Sequence, residues 1–143
     1  PNQLAPGKRP RITLTPTLAL RQKKPWLAFS TPCGDGQDQT LLQVFLNVAE
    51  FGMNPQEAVE APRFNSEAMY SSFDDHRDAP LVLDVERRIP KAVLEQLRAR
   101  GHKLVVQGEW GNSCAPTIIE YEAATGVLKA GADIRGHRYA LAW

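Results

Sequence analysis

The chain has 143 residues, 43% of them hydrophobic, so it is long enough for one domain with a buried core. Its 17 Lys and Arg residues nearly balance its 16 Asp and Glu residues, which predicts binding neither to nucleic acid nor to an anionic membrane surface. No apolar run approaches the ~20 residues of a membrane span, and the absence of CxxC and HExxH motifs predicts no metal and no cofactor.

The first 30 residues predict two antiparallel strands after an irregular, proline-rich start. Residues 12–15 alternate apolar and polar side chains, as a half-buried strand does. Pro16 predicts a bend or an edge position before a continuation at residues 17–20. Residues 21–25 are a plausible hairpin turn that leads to a second strand at residues 26–30.

A glycine-bearing turn follows the second strand, with the sequence Thr31-Pro32-Cys33-Gly34-Asp35-Gly36. A tight turn from a strand into a helix directs unpaired backbone N–H groups at one point. Such a point favours negative charge, whether a carboxylate, a phosphate or a developing oxyanion. Any chemistry in this chain is therefore expected at residues 32–35, called the corner below.

Two helices are predicted next. The first, at about residues 38–51, has almost no polar face, must be covered on most sides, and ends at Gly52. Asn54, Pro55 and Glu57 predict the start of the second helix, with an N-cap, a proline at the first helical position and a capping box. Pro62 ends it.

Residues 63–80 are polar and irregular, with four apparent anchors: Phe64, Met69, Tyr70 and Phe73. Asp74, Asp75 and His76 are adjacent in sequence, and because adjacent side chains rarely converge on one ion, no metal site is assigned to them. The remaining elements are a strand at 81–85, a helix at 90–100, and strands at 104–106, 116–121 and 127–130. This order predicts an α+β fold, with a mostly antiparallel sheet and helices packed on one face.

The two cysteines leave more than one interpretation open. Cys33 and Cys114 can pair in an oxidising compartment or stay free in a reducing one, and the compartment, periplasmic or cytoplasmic, is not decided. Cys33 lies on a strand-to-helix turn, where a helix N-terminus lowers the pKa of a thiol, so it could be the nucleophile of an amidase. The base would then be His102 or His137. A buried, unreactive cysteine is the other interpretation.

An ordered set of short motifs runs over nearly the whole chain: Pro6-Gly7-Lys8-Arg9-Pro10, Leu14-Thr15-Pro16-Thr17, Thr31-Pro32-Cys33-Gly34-Asp35, Leu42-Gln43-Val44 with Leu46-Asn47, Phe51-Gly52-Met53-Asn54 with Glu57-Ala58, Ala61-Pro62-Arg63, and Asp133-Ile134-Arg135-Gly136. In this order they resemble the C-terminal part of the γ-glutamyltransferase (γ-glutamyl transpeptidase) family.

The resemblance implies a layered αββα fold of the N-terminal-nucleophile hydrolase type. Residues 1–143 would form a single domain, the C-terminal portion of a small subunit from a self-cleaving precursor. The N-terminal threonine of that subunit attacks a γ-glutamyl amide such as glutathione and passes the acyl group to water or an amino acid. Because this threonine precedes the region like Pro10, the nucleophile is absent here and the chain alone is expected to be inactive. The implied partners are the large subunit and the front part of the small subunit.

The resemblance also assigns roles to five residues. The backbone of Cys33 and Gly34 matches the Gly-Gly pair of the family's oxyanion hole. Ile12 and Thr13 match two small hydroxyl residues that bind the glutamyl moiety, and of the two only Thr13 can donate a hydrogen bond. Asp35 stands where the family often has a small polar residue, so it could repel a substrate carboxylate or bind an amine. A divergent member acting on another acyl amide fits these departures equally well.

A non-catalytic role stays open beside the enzymatic one. The apolar helix at about residues 38–51 could be the interface of an assembly or binding module. In the isolated chain this helix would lack part of its cover, so the chain alone is expected to be oligomeric.

Overall fold

The structure is a computed structural model that describes residues 3–10, 12–73 and 75–142. Asp74, from the acidic run considered above, lies outside the described residues. Within these ranges the chain forms β1 Thr17–Arg21, β2 Lys24–Ser30, α1 Gln37–Ala49, α2 Pro55–Glu60, β3 Phe64–Ser66, β4 Val82–Glu86, α3 Lys91–Ala99, β5 Lys103–Gln107, β6 Thr117–Glu122 and β7 Val127–Ala132. This mixture of helices and mostly antiparallel strands confirms the predicted α+β class. No helix of the described part has the length and apolar character needed to cross a bilayer.

The larger sheet has four strands in the order β1-β2-β6-β7, and every neighbouring pair is antiparallel. Its first hairpin turns at Gln22 and Lys23, which both have positive φ, as a two-residue hairpin turn of the primed types requires. The predicted strand at residues 12–15 is not formed. If the register of β1 on β2 continued, residues 12–15 would pair with the residues that follow Ser30, and Pro32 among them has no N–H to donate.

Helices α1 and α2 cover one face of this sheet. The core between them includes Leu27 and Phe29 from β2, Val44 from α1, Val59 from α2 and Ile118 from β6. The predicted capping box is present at the start of α2. One side of α1 is buried, as expected, but Leu42 is 58% exposed, so the predicted cover on most sides is not supplied by the described residues.

The opposite face of the same sheet is apolar and exposed. Leu18, Ala28 and Ile119 are paired across β1, β2 and β6, and Tyr121 and Leu128 lie on the same face. All five side chains are exposed, Leu18 at 65%. We call this surface the open sheet face.

The smaller sheet has the order β3-β4-β5, with α3 packed on it. β4 and β5 are parallel and joined through α3, which is the one departure from antiparallel pairing in the described sheets. β3 was missed in the segment predicted as irregular. Its backbone bonds to side-chain amides of α1: Gln43 pairs with both backbone groups of Phe64, and Gln39 with both of Ser66. These contacts attach the smaller sheet to α1, the helix that begins directly after the corner.

Candidate active site

The corner has an unusual backbone. Cys33 adopts φ 131° and ψ 34°, and Gly34 has φ 58°. The N–H of Gly36 donates to the carbonyl of Cys33 at 3.3 Å, and that of Gln37 donates to the carbonyl of Gly34, which closes a short 3-10 turn. The amides of Cys33 and Gly34 donate no hydrogen bond within the described part of the chain. Two adjacent N–H groups therefore have no acceptor among the described residues.

Cys33 is joined to Cys114 by a disulfide, with the two Cα atoms 5.2 Å apart. Both cysteines of the chain are therefore consumed. The amidase interpretation with Cys33 as nucleophile is wrong for this structure, because a sulfur held in a disulfide has no thiolate with which to attack a carbonyl. The sequence left this pairing open, because it did not decide between an oxidising and a reducing compartment.

Four of the five residues proposed for the site line one cleft. Ile12, Thr13, Gly34 and Asp35 share a cavity of about 460 Å³, whose other walls are Leu14, Thr15, Asp38, Gln39, Met69, Tyr70 and Ser72. We call it the corner cleft. Cys33 lies behind it and lines an adjoining polar pocket of about 210 Å³. The structure therefore brings the sequence-predicted residues together at the start of α1.

A buried glutamine positions the 12–15 segment against the helix. The hydroxyl of Thr15 donates to Oε1 of Gln37 at 2.7 Å, and Nε2 of Gln37 donates to the hydroxyl oxygen of Thr13 at 3.4 Å. Because the Thr13 oxygen accepts this bond, the hydroxyl proton of Thr13 stays available to a ligand in the cleft. Sequence reasoning missed Gln37; its place at the first turn of α1 was the only signal.

The segment after β3 closes the other side of the cleft. The backbone N–H of Ser72 donates to Oδ2 of Asp35. The ring of Phe73 lies over Gly34 so closely that a Cβ at residue 34 would be 2.8 Å from it. Among the cleft-lining residues that the structure describes, Asp35 and Asp38 carry the charge, and both are acidic. The described cleft thus combines acidic and apolar walls.

A buried ion network lies behind Cys114. The guanidinium of Arg63 is 2.7 Å from Asp133 and donates to the carbonyl of Cys114 at 2.8 Å. Arg135 makes two bonds of 2.7 Å to Glu86 and one of 2.8 Å to Asp133. Arg63 and Arg135 belong to motifs that carried the resemblance, but the sequence contained no signal for these pairs.

The network sets the charge states of its members. Burial opposes ionisation of Glu86, yet the hydrogen bonds and charge of Arg135 outweigh it and hold the pKa of that carboxyl below its ordinary value. Burial lowers the pKa of Arg63, an effect partly offset by Asp133. Arginine remains charged in proteins. Each of the two buried guanidinium groups, Arg63 and Arg135, has a buried carboxylate beside it. No cluster of His, Cys, Asp and Glu able to hold a metal ion occurs in the ranges described.

Comparison with known proteins identifies the family. The family model described as gamma-glutamyltranspeptidase matches residues 1–143. The chain belongs to the gamma-glutamyltranspeptidase family. The likeness inferred from the short motifs is thereby confirmed, and the fold agrees with solved structures of the family.

Two curated relatives and one solved structure place the chain more closely. It is 31% identical over 112 residues to the glutathione hydrolase proenzyme of Escherichia coli, covering 78% of this chain and 18% of the relative. It is 30% identical over 139 residues to the glutathione hydrolase-like YwrD proenzyme of Bacillus subtilis, covering 94% and 25%. The cephalosporin acylase structure from Bacillus halodurans is 31% identical with a TM-score of 0.79, covering 98% and 24%. The chain spans a quarter or less of the length of these three proteins.

Proposed function

We propose that this chain is the C-terminal portion of the small subunit of an amide-cleaving acyl-transfer enzyme, and that it supplies the oxyanion hole. The observation that carries this proposal is the pair of adjacent, unbonded amides at Cys33 and Gly34 beside a cleft. The nucleophile lies outside the chain; by the family resemblance it is the N-terminal threonine of the small subunit.

In this mechanism the threonine oxygen attacks the carbonyl carbon of the substrate amide. The carbonyl oxygen becomes an oxyanion that accepts hydrogen bonds from the N–H groups of Cys33 and Gly34. Collapse of this intermediate releases the amine, and water or an acceptor amine then takes the acyl group. Loss of one oxyanion donor costs about 2.7–4 kcal/mol of transition-state stabilisation, or roughly 10²–10³ in kcat.

Thr13 is proposed to hold the acyl group. Its hydroxyl oxygen accepts a hydrogen bond from Gln37, so its hydroxyl proton can be donated to an acceptor on the substrate. Ile12 offers only an apolar contact. The acyl group would therefore meet one hydroxyl donor where the family resemblance implies two.

The charges of the cleft bear on the class of acyl donor. A substrate carboxylate 4 Å from Asp38 would be repelled by about 1 kcal/mol in water and by more at lower dielectric, and Asp35 is a second carboxylate on the wall of the cleft. Ile12, Met69 and Tyr70 add apolar surface. These features support an acyl group without a carboxylate at this position, or one that carries an amine, over the γ-glutamyl group. The similar proteins are named glutathione hydrolase and cephalosporin acylase, so they are not all named for the same donor.

A matched pair of substrates tests this preference. γ-Glutamyl p-nitroanilide and 4-aminobutanoyl p-nitroanilide differ by the α-carboxylate alone. The intact protein should release p-nitroaniline from the 4-aminobutanoyl compound with the higher kcat/KM. Asp35→Asn should bring the kcat/KM values of the two substrates closer together. A clear preference for the γ-glutamyl compound that Asp35→Asn leaves unchanged would reject the proposed role of Asp35.

The oxyanion hole is tested by Gly34→Pro in the intact protein, because proline removes the N–H of residue 34. We expect amide hydrolysis to be abolished. Gly7→Pro is the matched control, since it also places proline at a glycine with positive φ, in open space, and removes no backbone hydrogen bond formed among the described residues. Self-cleavage and thermal unfolding report whether each variant still folds. Equal activities in the two variants would contradict the proposal.

The partners proposed for this chain are the large subunit and the preceding part of the small subunit. The open sheet face supports this proposal: Leu18, Ala28 and Ile119 form a contiguous apolar surface of the kind that marks an interaction site. The isolated chain should therefore self-associate, which sedimentation velocity can measure; a monomer would count against it. An assembly module without catalysis is the alternative, favoured if the intact protein hydrolyses no amide.

A further inference from the structure

We propose that Cys114 is a positioning residue for the oxyanion hole, acting through its disulfide with Cys33. This inference rests on the function proposed above, because it assigns a purpose to the backbone geometry of the corner. Cys114 lines the polar pocket behind the corner cleft and is 3% exposed, so it acts on a substrate only through Cys33.

The backbone of Cys33 needs an external constraint. Its φ of 131° is disfavoured for any residue with a Cβ, and such torsions persist only where the surrounding structure imposes them. A glycine would adopt this conformation without strain. A residue other than glycine at this position must be held there, and the bond from its side chain to Cys114 is the strongest constraint on it.

The other end of the disulfide is anchored in the buried part of the chain. The carbonyl of Cys114 accepts from Arg63, and its N–H donates to Oδ1 of Asn112 at 3.0 Å. Arg63 in turn pairs with the fully buried Asp133. A hydrogen bond from Arg63 to Cys114, followed by the disulfide, therefore connects the buried ion network to the residue that carries the first proposed oxyanion donor.

Gly36 shows how closely the corner is fitted to the disulfide. A Cβ at residue 36 would lie 3.2 Å from Sγ of Cys114 and 3.4 Å from Sγ of Cys33. The 3-10 turn therefore packs directly against the two sulfurs. Without the bond, Cys33 can relax toward negative φ, and the peptide that carries the Gly34 amide rotates with it.

The bond can be opened by a defined reaction. A dithiol reductant transfers two electrons and two protons to the disulfide, giving the thiols of Cys33 and Cys114, and becomes a cyclic disulfide itself. Since oxyanion donors act mainly in the transition state, loss of their alignment should lower kcat and leave KM nearly unchanged.

The test uses the intact protein after self-cleavage is complete, with and without dithiothreitol, and the variant Cys114→Ser. We expect kcat for whichever of the two anilides above is cleaved faster to fall about ten- to a hundredfold on reduction or in Cys114→Ser, with KM changed less than about twofold. Hydrogen exchange of the amides at residues 33–36 should accelerate in both cases. The variant should show no further response to dithiothreitol.

Rescue distinguishes positioning from a general structural role. Adding Cys33→Gly to Cys114→Ser should recover at least part of the lost kcat, because glycine adopts the required φ unaided. Unchanged kcat and unchanged exchange on reduction would overturn the inference. A loss of kcat without rescue, accompanied by faster exchange throughout the chain, would overturn it as well. If the oxidised protein cleaves no amide, the proposed function fails and the assignment of Cys114 to an oxyanion hole is overturned with it, whereas a protein that cleaves an amide but keeps its kcat on reduction overturns the inference alone.

Discussion

Glu86→Gln should destabilise the protein strongly, because one buried carboxylate accepts five hydrogen bonds. Arg135 donates two at 2.7 Å, Arg88 donates one at 2.8 Å, and the backbone amides of Arg63 and Asn112 donate one each at 3.3 Å. The Glu86 side chain is 1% exposed, so solvent does not screen these contacts.

The expected magnitude follows from what glutamine leaves behind. The glutamine side chain has an NH₂ group in place of one carboxylate oxygen, so a donor stands where an acceptor stood and faces other donors. The Arg135 guanidinium, which stays buried, loses its bidentate partner. Breaking a buried pair from one side costs about 3–5 kcal/mol. At about 2–4 °C for each kcal/mol, the unfolding temperature of the part that contains this chain should fall by roughly 6–20 °C.

Glu109→Gln is the matched control, since Glu109 forms a solvent-exposed pair with Arg87. Such pairs contribute about 0–1 kcal/mol. Differential scanning calorimetry of the two variants measures the contrast. Unfolding temperatures that agree within 1–2 °C would refute the interpretation of the ion network as the anchor behind the corner.

Three further predictions concern pH, the cleft and the packing of α2. The pKa of Glu86 is lower in the folded than in the unfolded state, so its contribution to the free energy of unfolding is present above the unfolded pKa and is lost as pH falls through the folded pKa. The stability of the wild type should therefore fall more steeply in acid than that of Glu86→Gln, and parallel curves of stability against pH would contradict this. Gln37→Leu should lower kcat/KM about five- to tenfold, since Thr13 loses a bond worth about 1 kcal/mol, and steady-state kinetics that match the wild type would exclude the positioning role of Gln37. Gly131→Ala should destabilise by about 1–3 kcal/mol, because its Cβ would meet the Pro55 carbonyl; a calorimetric change below 0.5 kcal/mol would show that α2 can move aside.

Elements defined by neighbouring residues were predictable from sequence. The capping box at Asn54 and Glu57, the left-handed conformation of Gly52 and the hairpin ending at Gly126 depend on residues only a few positions apart, and all three are present. Periodicity and turn residues carry this local information. The same kind of signal located the corner, because its glycines and its place between a strand and a helix are adjacent in sequence.

Features that depend on distant polar contacts were not predictable. β3 exists because Gln39 and Gln43 of α1 complete its backbone hydrogen bonds, and a three-residue strand has no periodicity of its own. The pair of Glu86 and Arg135 joins residues 49 positions apart. Side chains that meet only after folding leave no pattern in a single sequence, which explains why the corner could be proposed from the sequence while the contacts behind it could not.

The central claim is that the amides of Cys33 and Gly34 hold the oxyanion. A crystal structure of the intact protein with a boronate inhibitor, which forms a tetrahedral adduct with a hydroxyl nucleophile, tests it directly. We predict one adduct oxygen within about 2.7–3.1 Å of both amide nitrogens. An adduct oxygen bound by other donors, with both amides left facing solvent, would contradict the account.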